Sequence, residues 1–156
     1  LEGNLMETNQ TIVDIYSRYL FETEVIDTRA DHAMNVDELK DAMLRAQEAS
    51  YGDGLDPEIR HPYMWACKSH YYSSGYNFYN FPYAFGELFA KGVFAQYLQK
   101  GAAFVPDYCR LLRSCGSGTI ADVAASVGID VRNPDFWRSS LEVVKGNIDK
   151  FCELVK

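Results

Sequence analysis

Apolar positions recur at intervals of three and four residues along most of the chain, which predicts α-helices. The first predicted helix covers residues 9–28, and its apolar face comprises Ile12, Ile15, Tyr16, Tyr19 and Ile26. The second opens at Asn35, whose spacing to Glu38 is typical of a capping box, and it stops near Gly52. A further helix is predicted over residues 64–72.

The second half of the chain continues this helical pattern. Residues 83–99 read as a helix that is expected to be mostly buried and to end at Gly101. Short helices are predicted over residues 106–113 and 119–128, and a final helix opens at Asn133. The stripe of this last helix comprises Trp137, Leu141, Val144, Ile148, Phe151 and Val155. No run alternates with period two, so the sequence predicts one all-α domain over residues 1–156, an irregular helical array.

Charge and cysteine usage narrow the function classes. The chain has 22 acidic and 15 basic residues, and the basic ones are scattered, so no nucleic-acid partner is expected. The most apolar window carries Glu87 and Lys91 and is too short to span a bilayer, so no membrane partner is expected either. The four cysteines show no CxxC spacing, which favours reduced thiols in a cytoplasmic protein.

The most unusual segment covers residues 70–83, where five of fourteen residues are tyrosines, two are phenylalanines and one is His70. A phenol is a good hydrogen-bond donor at neutral pH, because its ordinary pKa is about 10. Phenols and an imidazole that converge on one cavity would stabilise an oxyanion. The alternative is an aromatic core in which each hydroxyl has a polar partner.

Metal ligation by this chain alone finds little support in the sequence. None of the three histidines has another histidine four residues away, so there is no HExxH zinc helix. Cys67 and His70 are three residues apart and could be two metal ligands, or a thiol nucleophile and its base. The simpler interpretation is a buried cysteine beside a hydrogen-bonded histidine.

Two runs, residues 61–72 and residues 78–86, strongly resemble oligoendopeptidase F, of the thimet-oligopeptidase group of zinc metallopeptidases. Residues 11–22 resemble the helix that follows the zinc-binding region in this family, and residues 115–137 resemble the family's C-terminal end. The resemblance covers nearly the whole chain and is most specific in the tyrosine segment. It implies the C-terminal part of a larger, mostly helical zinc peptidase fold.

In that family, zinc is bound by an HExxH helix and a downstream glutamate. The resemblance therefore implies that zinc serves the full-length enzyme with ligands outside this chain, and that this fragment alone is inactive. The implied partners are an oligopeptide substrate and the missing N-terminal part of the same enzyme. A fragment of this kind is also expected to self-associate, through the stripe Ile12, Ile15, Tyr16 and Tyr19.

The resemblance also implies site residues. By position, His70, Tyr76 and Tyr83 match the family's histidine and tyrosines that donate hydrogen bonds to the tetrahedral intermediate and the peptide backbone. Gly75 and Tyr79 are the implied substrate-binding residues, and Asn80 stands where thimet oligopeptidase has a further tyrosine. The alternative function is a non-enzymatic all-α interaction module.

Overall fold

The computed structural model describes all residues from Leu1 to Lys156 and confirms an all-α fold without β-strands. A π-helical turn, Gln10–Asp14, separates the first two helices. The helices are α1 Glu2–Asn9, α2 Ile15–Thr28, α3 Val36–Tyr51, α4 Phe81–Lys100, α5 Val105–Ser114, α6 Ile120–Ala125 and α7 Pro134–Leu154.

The chain divides into two compact units, one formed by Met6–Ala84 and the other by Leu1–Leu5 with Phe85–Lys156. The helices α1 and α4 contribute residues to both units. That residues 1–156 act as a single helical unit of a larger catalytic domain stays a prediction. No helix in the structure has both the length and the apolar character that a membrane span requires.

Local sequence signals fix several helix ends. The Asn35 side chain accepts hydrogen bonds from the backbone N–H groups of Asp37 and Glu38, at 2.9 and 3.0 Å. The Glu38 carboxylate accepts the N–H of Asn35 at 2.7 Å, which confirms the predicted capping box. The predicted stop after α4 is also confirmed, because Gly101 has φ +61°, a conformation that glycine adopts without strain.

The buried face of α2 differs from the predicted stripe. Tyr16 and Tyr19 are each 49% exposed and Ile26 is 42% exposed. The buried residues of this region are Asp14, Ile15, Ser17, Phe21 and Glu22. Phe21 packs with Ala42, Met43 and Ala46 of α3, so the contact with α3 sets which side of α2 is buried.

The predicted helix over residues 64–72 is wrong. The structure has two 3₁₀ turns there, Met64–Cys67 and Ser69–Tyr72, separated by Lys68 in an extended conformation. Trp65 and Tyr71 both pack against the core of α2 and α3, formed by Phe21, Ala42, Met43 and Ala46. A continuous α-helix would place two residues six apart about 240° from each other, so the interruption allows both rings to reach one core.

In the unit that contains Phe85–Lys156, the core is apolar and the contact between α4 and α7 is close. A Cβ atom at Gly92 would lie 2.5 Å from Cζ of Phe136 and 2.7 Å from Oγ of Ser140. Phe136 and Ser140 are buried, whereas Leu141 and Ile148 of the predicted stripe are 47% and 46% exposed. The α7 face that meets α4 is therefore offset from the stripe that the sequence predicted.

The expectation that α4 is mostly buried is also wrong. Phe94, Tyr97 and Leu98 are 48%, 43% and 62% exposed. The buried residues of α4 are Gly92, Val93 and Ala95. An apolar composition around the whole helix therefore does not mean that every side is covered within this chain.

Candidate functional site

The segment before α4 is a succession of turns. Backbone N–H groups donate to the carbonyl three residues earlier, from Ser73 to His70, Tyr76 to Ser73 and Tyr79 to Tyr76, at 3.1–3.2 Å. The rings of Tyr76 and Tyr79 meet across these turns, and α4 then begins at Phe81.

The structure brings four of the predicted site residues together. The ring centroids of Tyr76 and Tyr79 are 5.0 Å apart, and those of Tyr79 and Tyr83 are 5.9 Å apart. The hydroxyl oxygens of Tyr79 and Tyr83 are 3.3 Å apart. The His70 ring lies 6.3 Å from that of Tyr79. We refer to Tyr76, Tyr79 and Tyr83 as the tyrosine wall.

Exposure separates the tyrosine wall from the hydrophobic core. Tyr76, Tyr79 and Tyr83 are 53%, 42% and 54% exposed. The aromatic-core interpretation is therefore wrong for these three residues. It is correct for Tyr71, whose ring packs on Phe21 at 5.4 Å and whose hydroxyl donates to the Arg18 carbonyl at 3.4 Å. Burial raises the pKa of the Tyr71 phenol.

The predicted Gly75 lies in an exposed turn of the same segment. A Cβ atom added at Gly75 would meet no other atom within 4 Å. Packing within this chain therefore does not require glycine at this position.

His70 is held by an amide. Asn80 Nδ2 lies 2.7 Å from Nε2 of His70. Partial burial, together with the positive charges of Arg18 and Lys68, lowers the pKa of His70. The thiol of Cys67 donates instead to the Met64 carbonyl at 3.1 Å. The nucleophile–base pair that the spacing of Cys67 and His70 suggested is thus not hydrogen-bonded in this structure.

Behind His70 lies a polar chain that the sequence interpretation missed. Arg18 forms an ion pair with Asp14, and its Nη1 lies 3.5 Å from Oδ1 of Asn80. Asp14 also accepts the hydroxyl of Tyr51 at 3.3 Å. Burial, aided by the charge of Asp14, raises the pKa of Tyr51 to about 12. The i, i+4 spacing of Asp14 and Arg18 was the available signal in the sequence.

The polar chain begins in the π turn, because Asp14 is the last residue of that turn. A π turn disturbs the regular backbone hydrogen bonds, and such turns are frequent at functional sites. The hydroxyl of Ser50 on α3 donates to the carbonyl of Val13 in this turn. The neighbouring α3 therefore stabilises the turn that carries Asp14.

A small polar cavity of about 210 Å³ lies beside the tyrosine wall. Its lining combines two amides, two hydroxyls and a guanidinium with one apolar residue. The lining residues are Gln10, Thr11, Ile15, Arg18, Asn80 and Tyr83. Such a set offers several hydrogen-bond donors to a small polar group.

Phe78 anchors the turn segment in an unusual backbone conformation. Its φ of 55° lies in the left-handed region, which is rare for a bulky residue. The N–H of Phe78 donates to Oε1 of Glu22 at 2.7 Å, and its ring lies 5.6 Å from that of Tyr19. Backbone strain of this kind persists only where surrounding contacts enforce it, and it clusters at functional sites.

The residues present do not form a zinc site. No group of three or more histidine, cysteine, aspartate and glutamate side chains is arranged to hold a metal ion. The side chains that meet here are phenols, the Asn80 amide, the Arg18 guanidinium and the His70 imidazole.

A second, apolar groove of about 730 Å³ lies between α4 and α5. Its lining includes Phe94, Tyr97, Phe104, Tyr108 and Leu112. The self-association stripe predicted from the sequence includes Ile15, which is buried and unavailable for such contacts. Self-association itself stays a prediction, and the exposed residues of this groove offer an apolar surface for it.

Comparison with known proteins finds a partial similarity to a peptidase. The chain is 27% identical over 105 residues to Oligopeptidase PepF of Bacillus subtilis (strain 168). The aligned part covers 67% of this chain and 15% of that protein. No family model matches the chain, and no solved structure matches it. The similarity supports a distant relationship to a peptidase.

Proposed function

We propose that this chain is the C-terminal part of a cytoplasmic, zinc-dependent oligoendopeptidase that hydrolyses short peptides. In this proposal the tyrosine wall and His70 bind the substrate and stabilise the tetrahedral intermediate. The observation that carries the proposal is the cluster of three exposed tyrosines, two of them in contact through their hydroxyls, which the core does not need. The similarity to an oligopeptidase supports the same reaction class.

The chemistry follows from the donor groups. Attack on a peptide carbonyl places negative charge on its oxygen, and hydrogen-bond donors aimed at that oxygen lower the barrier. The hydrogen bond with Tyr83 raises the pKa of Tyr79 above its ordinary value. Tyr79 therefore keeps its proton at neutral pH, and its contact with Tyr83 fixes the position of the second hydroxyl. Tyr83 and Tyr76 are the proposed oxyanion donors, and His70 assists them by hydrogen bonding.

Substrate binding is assigned to the neighbouring groups. Tyr79 and the exposed turn at Gly75 would contact the peptide, and Gly75 leaves its approach open. The zinc ion and its ligands belong, in this proposal, to parts of the enzyme outside this chain. The chain by itself is therefore expected to be inactive.

A non-enzymatic interaction module is the second candidate, and the groove between α4 and α5 favours it. That groove is apolar and half exposed, as binding surfaces for protein segments commonly are. In this alternative the hydroxyls of the tyrosine wall have no chemical role. Hydrolysis of short peptides by the complete protein distinguishes the two candidates.

The decisive variant is Tyr83→Phe in the complete enzyme, because it removes one hydroxyl and keeps the ring. We expect kcat to fall about 10²-fold while KM stays nearly constant, as for loss of one oxyanion donor. Tyr76→Phe should act in the same direction but more weakly, because its hydroxyl also contacts the ground-state peptide in this proposal.

The matched control is Tyr97→Phe. Tyr97 lies on the same helix as Tyr83 and is 43% exposed, but it belongs to the apolar groove. Its variant should keep kcat within about twofold, because no developing charge depends on this hydroxyl. An unchanged kcat for Tyr83→Phe would refute the catalytic assignment of the tyrosine wall.

A further inference from the structure

The amide of Asn80 lies between the guanidinium of Arg18, which can only donate hydrogen bonds, and the imidazole of His70, which can accept one. Its Oδ1 is 3.5 Å from Nη1 of Arg18, and its Nδ2 is 2.7 Å from Nε2 of His70. A guanidinium has only donors, so the amide oxygen must face Arg18. The reverse orientation would set an NH₂ group against the guanidinium. The charge of Arg18 thus fixes the orientation of this amide on chemical grounds.

The orientation of the Asn80 amide decides which nitrogen of His70 is protonated. The amide NH₂ can only donate, so Nε2 of His70 must offer a lone pair. A neutral imidazole carries one N–H, and the hydrogen bond at one nitrogen decides which nitrogen is protonated. His70 must therefore carry its proton on Nδ1.

The group that orients Asn80 is itself held firmly. The side chains of Arg18 and Asp14 are only 11% and 10% exposed, and they form an ion pair within one helical turn. Tyr51 from α3 donates to the same carboxylate. Arg18 therefore has little freedom to release Asn80.

We propose that Arg18 and Asn80 are positioning residues that hold His70 in its Nδ1–H tautomer, so that Nδ1 donates the hydrogen bond to a substrate. The tautomer is a property of this chain alone. Its use toward a substrate rests on the proposed peptidase function.

The other two histidines provide internal controls. Nδ1 of His61 accepts the backbone N–H of Tyr63 at 3.1 Å, so His61 should carry its proton on Nε2. Nε2 of His32 lies 2.8 Å from a carboxylate oxygen of Glu38 and must donate to it. His70 is thus expected to be the one Nδ1–H tautomer among the three histidines of the chain.

The first experiment is long-range ¹H–¹⁵N NMR of the ¹⁵N-labelled chain at about pH 8, where a histidine is neutral. We expect a pyrrole-like Nδ1 and a pyridine-like Nε2 for His70, and the opposite pattern for His61 and His32. This spectrum needs no variant and no activity. A protonated Nε2 in His70 would overturn the proposal.

The second experiment replaces the amide by a carboxylate of the same shape. In Asn80→Asp, the carboxylate accepts a hydrogen bond, so the proton of His70 should move to Nε2. The titration midpoint of His70 should rise by about one pH unit or more, because an anion now faces it. The other groups that face this ring are the cations Arg18 and Lys68 and the rings of Tyr71 and Tyr79.

The control is Asn77→Asp, which adds the same charge at an exposed position of the same segment. It should leave the tautomer of His70 unchanged and move its midpoint by less than about half a unit. Equal shifts in both variants would contradict a specific role of Asn80.

An activity measurement tests the use of this tautomer in catalysis separately from the tautomer itself. In the complete enzyme, Asn80→Asp should lower kcat about tenfold or more at neutral pH with little change in KM, because the donor has moved to the other nitrogen. Full kcat in that variant would overturn the positioning role. Lack of peptidase activity in the complete wild-type protein would instead refute the proposed function and leave the tautomer standing.

Discussion

Two groups of aromatic side chains in this protein follow different rules. In the core of Phe85–Lys156, Phe104 and Phe136 are 1% and 8% exposed. The Phe136 ring packs directly against α4 at Gly92, where a Cβ atom would overlap it. In the tyrosine wall the rings are about half exposed and meet partly through their hydroxyls. The first group is explained by packing. The second group is not, and this difference is the physical basis for assigning it a function.

The difference between these two groups predicts which substitutions change the free energy of unfolding. Removing or adding atoms in the core changes the free energy of unfolding, because close-packed interiors tolerate neither cavities nor overlap. Removing a hydroxyl from the tyrosine wall should barely affect unfolding, because water replaces it.

The largest stability effect is expected at Gly92. Gly92→Ala places a methyl group 2.5 Å from Cζ of Phe136, so the Phe136 ring or the two helices must shift. We expect a loss of about 1–3 kcal/mol in the free energy of unfolding, measured by urea denaturation of the chain.

Gly86→Ala is the matched control on the same helix. A Cβ atom there meets nothing within 4 Å, and alanine is favoured over glycine in a helix. This variant should be neutral or more stable. Equal destabilisation by both substitutions would show that the close contact at Gly92 does not limit packing.

A smaller effect on the stability of the fold is expected when the pH is lowered. The pKa of His70 is lowered below its ordinary value of 6.5, chiefly by burial, so below that pH the unfolded chain binds more protons than the folded one. The contribution of His70 to stability is therefore present above pH 6.5 and declines as the solution is made more acidic. Thermal melting between about pH 7 and pH 5 should show a weaker acid dependence for His70→Gln than for the wild type. Identical slopes would contradict the lowered pKa.

The smallest stability effect is expected in the tyrosine wall itself. Tyr83→Phe in this chain should change the free energy of unfolding by less than about 0.5 kcal/mol, as surface substitutions usually do. Tyr71→Phe should cost about 1 kcal/mol, because it removes the hydrogen bond to the Arg18 carbonyl from a largely buried hydroxyl. Chemical denaturation of both variants makes this comparison. A larger loss of unfolding free energy for Tyr83→Phe than for Tyr71→Phe would show that the tyrosine wall stabilises the fold as core residues do.

Local chemistry explains which features the sequence predicted. The capping box at Asn35 and the helix stop at Gly101 depend on neighbours within a few residues, and the structure confirms both. The all-α class followed from the spacing of apolar residues along the chain. The mutual proximity of Tyr76, Tyr79 and Tyr83 agrees with their short separation in the sequence.

The features that the sequence did not predict depend on distant contacts. Arg18 and Asn80 are 62 positions apart, so no local pattern joins them. The π turn at Gln10–Asp14 accepts a hydrogen bond from Ser50 of α3, and contact with α3 sets which side of α2 is buried. The failed helix over residues 64–72 likewise reflects the demand that Trp65 and Tyr71 reach the same core.

The central claim is that the hydroxyls of the tyrosine wall act on charge that develops in the transition state. The most direct test compares the affinity of the complete enzyme for a phosphinate peptide, which mimics the tetrahedral intermediate, between the wild type and Tyr83→Phe. If the claim is correct, the variant binds this analogue more weakly by the same factor, about 10²-fold, by which kcat/KM falls, while substrate KM is nearly unchanged. Unchanged affinity for the analogue would contradict the claim.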